Sequence, residues 1–336
     1  MTMSGLKMEP KIVAIGGGTG LSTMLRGLKK FTPNITAVVT VADDGGGSGI
    51  LRQEMKMLPP GDIRNCILAL ANTEPIMQKL LQYRFKEGSL TGQSFGNLFL
   101  AAMTGICGNF EEAVQRMSEV LAVTGKVLPV TKQDVQLCAK LRDGEVICGE
   151  SEIVEKSKES HVRIKEVYLY PEKPEPLFEV LEEIKNADAV ILGPGSLYTS
   201  IIPNLLVDKV PEVLLQSKAI KIYISNIMTQ PGETDDFDLL MHIEELRKYG
   251  GKDIIDYVVA NTENIPEDLL KIYHEDRSKE VKWDKETVKD KEFKIIDAPL
   301  LRVYPDRKLV RHDPTKLAKV VMNIIINNYK GSYGGE

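Results

Sequence analysis

Hydrophobic and polar positions follow two different periods along the first third of the chain. A continuous apolar run, KIVAIG at residues 11–16, predicts a buried strand. Apolar residues then recur with the spacing of one helix face, at Leu21, Met24, Leu25 and Leu28. A second apolar run at residues 35–42 predicts another buried strand, and a mainly helical block follows at about residues 62–121. This strand–helix–strand order is typical of a parallel sheet with helices on its faces.

The pattern of apolar residues changes in the middle of the chain. From about Lys126 the apolar runs become short and alternating, and Asp143-Gly144 is a turn signal between two of them. We therefore expect a small antiparallel β insertion at residues 126–172. The strand–helix rhythm then returns, with apolar runs at residues 187–193, 219–225, 255–261 and 293–299. A last helix is predicted at residues 314–328, where Asp313 supplies the cap.

These elements predict one Rossmann-like α/β domain over residues 1–336, with a mostly parallel sheet. Residues 10–125 would form a nucleotide-binding βαβ unit with its helical block, and residues 173–330 the second half of the core. The charged stretch at residues 274–292 is typical of a solvated surface segment.

Composition excludes several classes of protein. The net charge of −5 gives no electrostatic footprint for general nucleic-acid binding. The first ten residues lack the apolar core of a secretion signal, and no apolar run reaches the ~18 residues of a membrane span, so we expect a cytoplasmic protein. The four cysteines contain no CxxC pair and the four histidines are scattered, so we expect neither a disulfide framework nor a metal site built on histidine.

Polar loops follow most of the predicted strands. The carboxyl ends of parallel strands meet at one edge of a sheet, where ligands bind in open α/β folds. The loops concerned are GGGTG (16–20), DDGGGSG (43–49), GPGSLYTS (193–200), NIMTQPGET (226–234) and NTEN (261–264). Glycine allows close approach to backbone amides, and amides at a helix N-terminus attract anions. Three glycine loops, at residues 16–20, 45–49 and 193–196, could therefore cradle a diphosphate without the lysine of a Walker loop.

Side chains in and near these loops could add donors. The hydroxyl candidates are Thr19, Ser22, Ser48, Ser196 and Thr199. The basic candidates are Arg26, Arg52 and Arg64.

Two neighbouring acids, Asp43 and Asp44, come directly after the second strand. They could bind a ribose hydroxyl, hold a magnesium ion with phosphate, or serve only as cap and turn carboxylates, and these interpretations stay open. Spacing favours a helix cap for Asp62. Asn97 lies within an apolar helix, so it either faces the ligand edge or satisfies a backbone group.

Evidence for catalysis is weak in the sequence. The candidates for acid–base chemistry are Asp43, Asp44 and Asp62, and GPGSL lacks the glycine that a hydrolase nucleophile elbow requires after its serine. We therefore leave open whether the protein is an enzyme, and favour binding without turnover.

The loops together resemble one family. The motifs are IGGGTGLSTMLRGLK, VADDGGGSGILR, LPPGDIRNCILALA, GQSFGNLFLAAM, ILGPGSLYTSIIPNLLV, ISNIMTQPGETD and RHDPTKLA. They are similar to those of the bacterial gluconeogenesis factors, a branch of the 2-phospho-L-lactate transferase-like superfamily, and run from about Lys11 to about Ile326.

The resemblance implies a Rossmann-like core and a homodimer. It also implies binding of a UDP-sugar such as UDP-N-acetylglucosamine. The gluconeogenesis-factor branch supports growth and cell shape on gluconeogenic carbon sources through cell-wall synthesis, whose machinery is then a candidate partner. The transferase branch moves a phospholactyl-type group from a nucleotide diphosphate donor onto a deazaflavin, with magnesium.

Carried over position by position, the ligand site would comprise Gly17, Gly18, Thr19, Gly20, Asp43, Asp44, Gly193, Pro194, Gly195, Ser196, Asn226, Thr229, Asn261 and Arg311. The second glycine loop adds Gly45, Gly46 and Ser48, and Asn97 completes the set. Magnesium, if used, would sit at Asp43 and Asp44.

Three hypotheses follow. The first is a UDP-sugar-binding regulatory protein, and the second is a magnesium-dependent transferase of a phospholactyl-type group to a deazaflavin-like acceptor. The third, a dinucleotide-binding oxidoreductase, is disfavoured because Leu21 stands where the fingerprint requires a third glycine.

Overall fold

A parallel sheet of seven strands forms the centre of the protein. The computed structural model describes residues 9–288 and 291–333. Within them the strands are β1 (Ile12–Gly16), β2 (Ile35–Val39), β3 (Lys126–Pro129), β4 (Gln136–Leu141), β5 (Val146–Cys148), β6 (Ile164–Tyr170), β7 (Ala189–Leu192), β8 (Ile220–Ile224), β9 (Tyr257–Asn261), β10 (Lys294–Ala298), β11 (Leu301–Tyr304) and β12 (Leu309–His312). The central sheet has the order β10-β9-β8-β7-β1-β2-β3, which confirms the predicted α/β fold.

Helices flank this sheet. In chain order they are α1 (Gly18–Leu28), α2 (Gly46–Met55), α3 (Pro60–Leu70), α4 (Pro75–Gln82), α5 (Phe95–Cys107), α6 (Phe110–Val120), α7 (Glu150–Ser160), α8 (Phe178–Lys185), α9 (Ile202–Leu205), α10 (Val210–Gln216), α11 (Leu239–Gly250), α12 (Glu267–Glu275), α13 (Lys285–Val288) and α14 (Pro314–Tyr333). The predicted helical block corresponds to α3 to α6.

Helix α1 shows why the apolar spacing specifies the core. Its four periodic side chains are completely buried, which stabilises the fold by about 2 kcal/mol each. Gly27 lets α1 approach the start of α14, because a Cβ at Gly27 would lie 1.9 Å from the carbonyl oxygen of Pro314. The predicted cap of α14 is present: Asp313 Oδ1 accepts from the amides of Thr315 and Lys316 at 2.9 and 2.8 Å.

The antiparallel insertion is smaller than the sequence suggested. Strand β3 pairs parallel with β2 and belongs to the central sheet, so the antiparallel sheet comprises only β5, β4 and β6. The Asp143-Gly144 turn does join β4 to β5. Helix α7, which the alternating pattern did not predict, lies between β5 and β6.

Two of the cysteines are paired. Cys138 on β4 and Cys148 on β5 form a disulfide, whereas the absence of a CxxC pair had led us to expect no disulfide framework. The cause is local, because the two residues face each other in the register of neighbouring strands.

Strands β11 and β12 form a two-stranded antiparallel hairpin before α14, which the apolar pattern did not predict. In the described part of the chain, no helix combines the length and the apolar character needed to cross a membrane. Residues 1–8, which bear on the expectation of no secretion signal, lie outside the described residues, as do residues 289 and 290 of the charged stretch.

Candidate functional site

The strand order reverses direction between β1 and β7. From β1 the chain builds β2 and β3 on one side, and it later returns to add β7, β8, β9 and β10 on the other. A cavity of about 480 Å³ lies at the carboxyl ends of these strands, which is where open α/β sheets bind ligands. It is lined by Gly17, Gly18, Thr19, Gly20, Asp43, Asp62, Glu150, Pro194, Gly195, Ser196, Ser200, Asn226, Ile227, Met228, Thr229, Gln230, Pro231, Tyr273, Asp276, Ser278, Val310, Arg311 and His312.

The glycine loops after β1 and β7 face each other across the cavity floor. A Cβ at Gly20 would lie 2.5 Å from the carbonyl oxygen of Pro194, and a Cβ at Gly17 would lie 2.6 Å from Asp62 Oδ2. Only glycine allows this approach, and Gly18 also has φ +66°, which favours glycine. Helix α1 begins at Gly18, and its own N-cap residue supplies no side-chain cap, so the first-turn amides that follow Gly18 could bind a ligand anion.

Asp62 lies beside this loop and does not cap its own helix. Helix α3 begins after Pro59 without a side-chain cap, and the Asp62 carboxylate instead accepts from the amide of Gly18. Burial, and then the neighbouring Asp43, raises the pKa of Asp62 to about 7. The cap interpretation is therefore wrong, because the packing of α3 against α1 carries this carboxyl into the cavity.

The two adjacent acids point in different directions. Asp43 lines the cavity, where its Oδ1 accepts from the amide of Gly45 at 3.0 Å. Burial raises the pKa of Asp43, while the bonds from Gly45 and Ser48 act in the opposite direction. Asp44 Oδ1 accepts from the amide of Ser151 at 3.0 Å and caps the start of α7. Among residues 9–288 and 291–333, no three histidine, cysteine or carboxylate side chains form a group able to hold a metal ion. The predicted magnesium pair is thus divided, and only Asp43 reaches the cavity.

Glu150 is a cavity residue that the sequence did not reveal. It stands in the first turn of α7, so the antiparallel insertion carries it to the sheet edge. Burial raises the pKa of Glu150 well above its usual value, and Asp43 and Asp62 add to the effect. A side chain brought in from an insertion leaves no signal in the strand-end loops themselves.

The buried side chain of Glu233 stabilises the loop after β7. This buried carboxyl bonds the hydroxyl of Ser196 and accepts from the amides of Tyr198 and Thr199. Burial outweighs these bonds and raises its pKa to about 7. Ser196 Oγ also accepts from Gln230 Nε2 at 2.5 Å, and Asn226 Nδ2 donates to Gln230 Oε1 at 3.2 Å. The predicted residues Ser196 and Asn226 are therefore joined in one network.

Hairpin β11–β12 closes another side of the cavity. Arg311 is exposed and contributes the only Arg or Lys side chain among the described lining residues. His312 is buried beside it and hydrogen-bonds the backbone of Ser225. Burial, and then the charge of Arg311, lowers the pKa of His312 to about 4, so the ring is neutral at pH 7. The scattered positions of the histidines gave no indication of this role, although the neighbouring Arg311 was a candidate.

Several sequence candidates lie outside the cavity lining. Asn261 accepts from the amides of Glu263 and Leu300 and so stabilises its own loop. Buried Asn97 belongs to α5, where its amide N–H is bonded by the cap Ser94. The other loop candidates that the cavity does not include are Ser22, Asp44, Gly45, Gly46, Ser48, Gly193 and Thr199.

Two further groups of candidates have partners in the protein. Thr229 lines the cavity, but its hydroxyl already accepts from the amide of Lys279. Of the candidate arginines, Arg52 pairs with Asp134 and Arg64 bonds Ser94. Arg26, Arg52 and Arg64 are absent from the lining. Conversely, Asp276 and Ser278 of the charged stretch line the cavity, so that segment is more than a solvated surface.

Fold and cavity together define an α/β protein with a glycine-lined site at the switch point of a parallel sheet. The sequence profile of the family described as 2-phospho-L-lactate transferase CofD matches residues 12–301. A relative from Thermoanaerobacterium thermosulfurigenes is 58% identical, over 94% of this chain and 97% of its own. The gluconeogenesis factor of Bacillus subtilis is 47% identical, over 94% of this chain and 98% of its own. A crystal structure of a member of the UPF0052 family from Bacillus halodurans has a TM-score of 0.89 and 41% identity, and covers 94% of this chain and 100% of that one. The chain therefore belongs to the gluconeogenesis factor family, within the 2-phospho-L-lactate transferase CofD family, as its motifs indicated.

Proposed function

We propose that this protein binds a nucleotide diphosphate sugar, such as UDP-N-acetylglucosamine, at the switch-point cavity. The observation that carries the proposal is the meeting of two glycine loops at the start of α1, with Arg311 at the same cavity. Amides at a helix N-terminus bind phosphate, and arginine binds phosphate oxygens in a fixed geometry. Carboxyl groups at the same cavity offer acceptors for sugar hydroxyls.

Calorimetric titration with UDP-N-acetylglucosamine tests the proposal. Gly20→Ala places a methyl group against the carbonyl of Pro194 and forces the two loops apart. We expect its affinity to fall on the order of tenfold, the effect of about 1.4 kcal/mol. Gly105→Ala is the matched control, because a Cβ on this helical glycine meets nothing within 4 Å and Gly105 lies outside the cavity. No heat with the wild-type protein at millimolar ligand would refute the proposal.

The biological role we propose is regulatory. Relatives at 42–47% identity carry the name gluconeogenesis factor, and this supports a role in growth on gluconeogenic carbon sources. We propose that the role extends to cell shape and acts through cell-wall synthesis. A strain lacking the gene should grow poorly and lose its shape on such a carbon source and recover on glucose. Rescue by Gly105→Ala but not by Gly20→Ala would tie the role to the cavity. Equal rescue by both would separate the role from ligand binding.

A second candidate function is transfer of a phospholactyl-type group to a deazaflavin-like acceptor. The family match and the Asp62 carboxyl, with its pKa about 7, favour it. The acceptor hydroxyl would attack phosphorus, Asp62 would take its proton, and a nucleoside monophosphate would leave. Product formation from a nucleotide-activated phospholactate would establish this activity, and loss of product in Asp62→Asn would assign the base.

Magnesium would bind here together with the ligand. Mg²⁺ is usually held by one or two carboxylates plus substrate phosphates, and Asp43 fits that role because it lines the cavity next to the second glycine loop. The ion would offset the charge of a diphosphate placed among carboxylates.

We also propose that the protein forms a homodimer through α4. This helix leaves Ile76 and Leu80 exposed (74% and 42%) and continues into the exposed ring of Tyr83, which is unusual for a free surface. Light scattering after size exclusion should give a dimer for the wild type and a monomer for Ile76→Glu, and a wild-type monomer would refute the proposal.

A further inference from the structure

One side of the cavity is acidic. Asp43 follows β2, Asp62 bonds the amide of Gly18, and Glu150 begins α7. We call these three carboxyl groups the acidic wall. The bond from Ser151 to Asp44 fixes the start of α7 beside β2, so the wall stands on the β2 side of the cavity.

The other side of the cavity combines apolar residues with polar ones, among them Thr229, Asp276 and Ser278. Ile227 and Met228 follow β8, and Tyr273 belongs to α12, which follows β9. The Tyr273 hydroxyl accepts from the amide of Val310 at 3.0 Å, which holds the ring against hairpin β11–β12. We call Ile227, Met228 and Tyr273 the apolar wall.

The order of the strands separates the two walls. Three strand spacings lie between β2 and β8, and at ~4.8 Å each they amount to about 14 Å. Helix α7 gives a second measure of the distance between the loops after β2 and β8. Its Ser151 amide bonds Asp44 in the first loop. Its Lys158 amide nitrogen lies 3.0 Å from a Cβ built on Gly232 in the second. Seven residues of helix at ~1.5 Å each span about 10 Å. The glycine loops after β1 and β7 lie between the walls.

The chemistry of the two walls differs in the same way as the two ends of a nucleotide sugar. A base has flat apolar faces, and stacking on an aromatic ring contributes about 1–3 kcal/mol. A sugar presents hydroxyl groups, which donate hydrogen bonds to carboxylates. A buried hydroxyl group without a hydrogen-bond partner costs free energy. Resting on the function proposed above, we infer that the ligand binds in one orientation, with its base on the apolar wall, its diphosphate on the glycine loops and its sugar at the acidic wall.

Affinities for UDP and for UDP-N-acetylglucosamine, measured side by side, test this orientation. Tyr273→Ala removes the platform for the base, so both affinities should fall by the same factor, about tenfold. Glu150→Gln keeps one acceptor oxygen at the sugar end and replaces the other carboxyl oxygen with a donor NH₂, so the ratio of UDP-N-acetylglucosamine affinity to UDP affinity should fall several-fold. If Tyr273→Ala does not fold, Ile227→Ala tests the same apolar wall. It should likewise lower the affinities for UDP and for UDP-N-acetylglucosamine by the same factor.

Tyr273→Phe is the matched control for structure. It retains the ring but loses the bond to Val310, so it should bind UDP far better than Tyr273→Ala; an equal loss would show a merely structural role and overturn the assignment. A reversed pattern, in which Tyr273→Ala changes only the ratio and Glu150→Gln weakens UDP, would overturn the orientation and leave the proposed function standing. Failure of the wild-type protein to bind either ligand would instead refute the proposed function.

Discussion

The buried carboxyl of Asp62 should make the stability of the protein fall as pH rises. Its pKa is raised from 3.8 to about 7, so the folded protein keeps a proton that the unfolded chain has released between these values. The stability associated with this group is therefore complete below pH 3.8 and is lost as pH rises through 7. At ~1.4 kcal/mol per pH unit, the loss amounts to about 4 kcal/mol.

Asp62→Asn removes this titration while its side-chain oxygen can still accept from the amide of Gly18. The unfolding free energy of the variant minus that of the wild type should therefore rise by about 3 kcal/mol from pH 5 to pH 8. Urea unfolding followed by circular dichroism at the two pH values measures this gain. Repeating the series at high salt should change it little, because burial is the largest cause of the raised pKa. A stability difference that is the same at both pH values would refute the reasoning.

Three further predictions concern single contacts. The folded protein keeps the His312 ring neutral down to about pH 4, so the wild type should lose stability on acidification from pH 6.5 to pH 4. In His312→Gln this loss should be smaller by about 3 kcal/mol. Urea unfolding that shows the same loss in both proteins over this pH range would contradict this. Gly27→Ala should lower the melting temperature, because its Cβ would overlap the carbonyl of Pro314 and overpacking destabilises by ~1–3 kcal/mol; Gly105→Ala is the control, and equal melting points would be evidence against this packing. Asp44→Ala removes the bond to the Ser151 amide, so we expect the free energy of unfolding in urea to fall by ~1 kcal/mol. We also expect the affinity for UDP-N-acetylglucosamine to fall more than the affinity for UDP. Intact stability and an unchanged affinity ratio in that variant would show that Asp44 does not anchor α7.

Most of the central sheet was predictable because its strands are continuous apolar runs with polar loops at their ends, two of them rich in glycine. Both features are local, and the rule that ligands bind at carboxyl strand ends then places residues 16–20 and 193–196 together. The short run at 126–129 was assigned to the wrong sheet, since four residues carry no information about which strand they pair with.

The acidic wall was harder to predict because long-range packing creates it. Asp62 stands at the start of a helix, as a capping residue does, and only the contact of α3 with α1 carries it to Gly18. Asp43 and Asp44 are neighbours in sequence, but one faces the cavity and the other the insertion. Glu150 enters from the insertion itself, and nothing in its local sequence indicates a role at the sheet edge.

A crystal structure with UDP-N-acetylglucosamine tests nucleotide-sugar binding most directly. We expect the diphosphate on the amides of the loop at residues 17–20 and beside Gly195, with the base against Tyr273 and the sugar near Glu150. Ligand density at another surface, such as the cleft of about 590 Å³ beside Met55 and Phe110, with no ligand at the glycine loops, would contradict it.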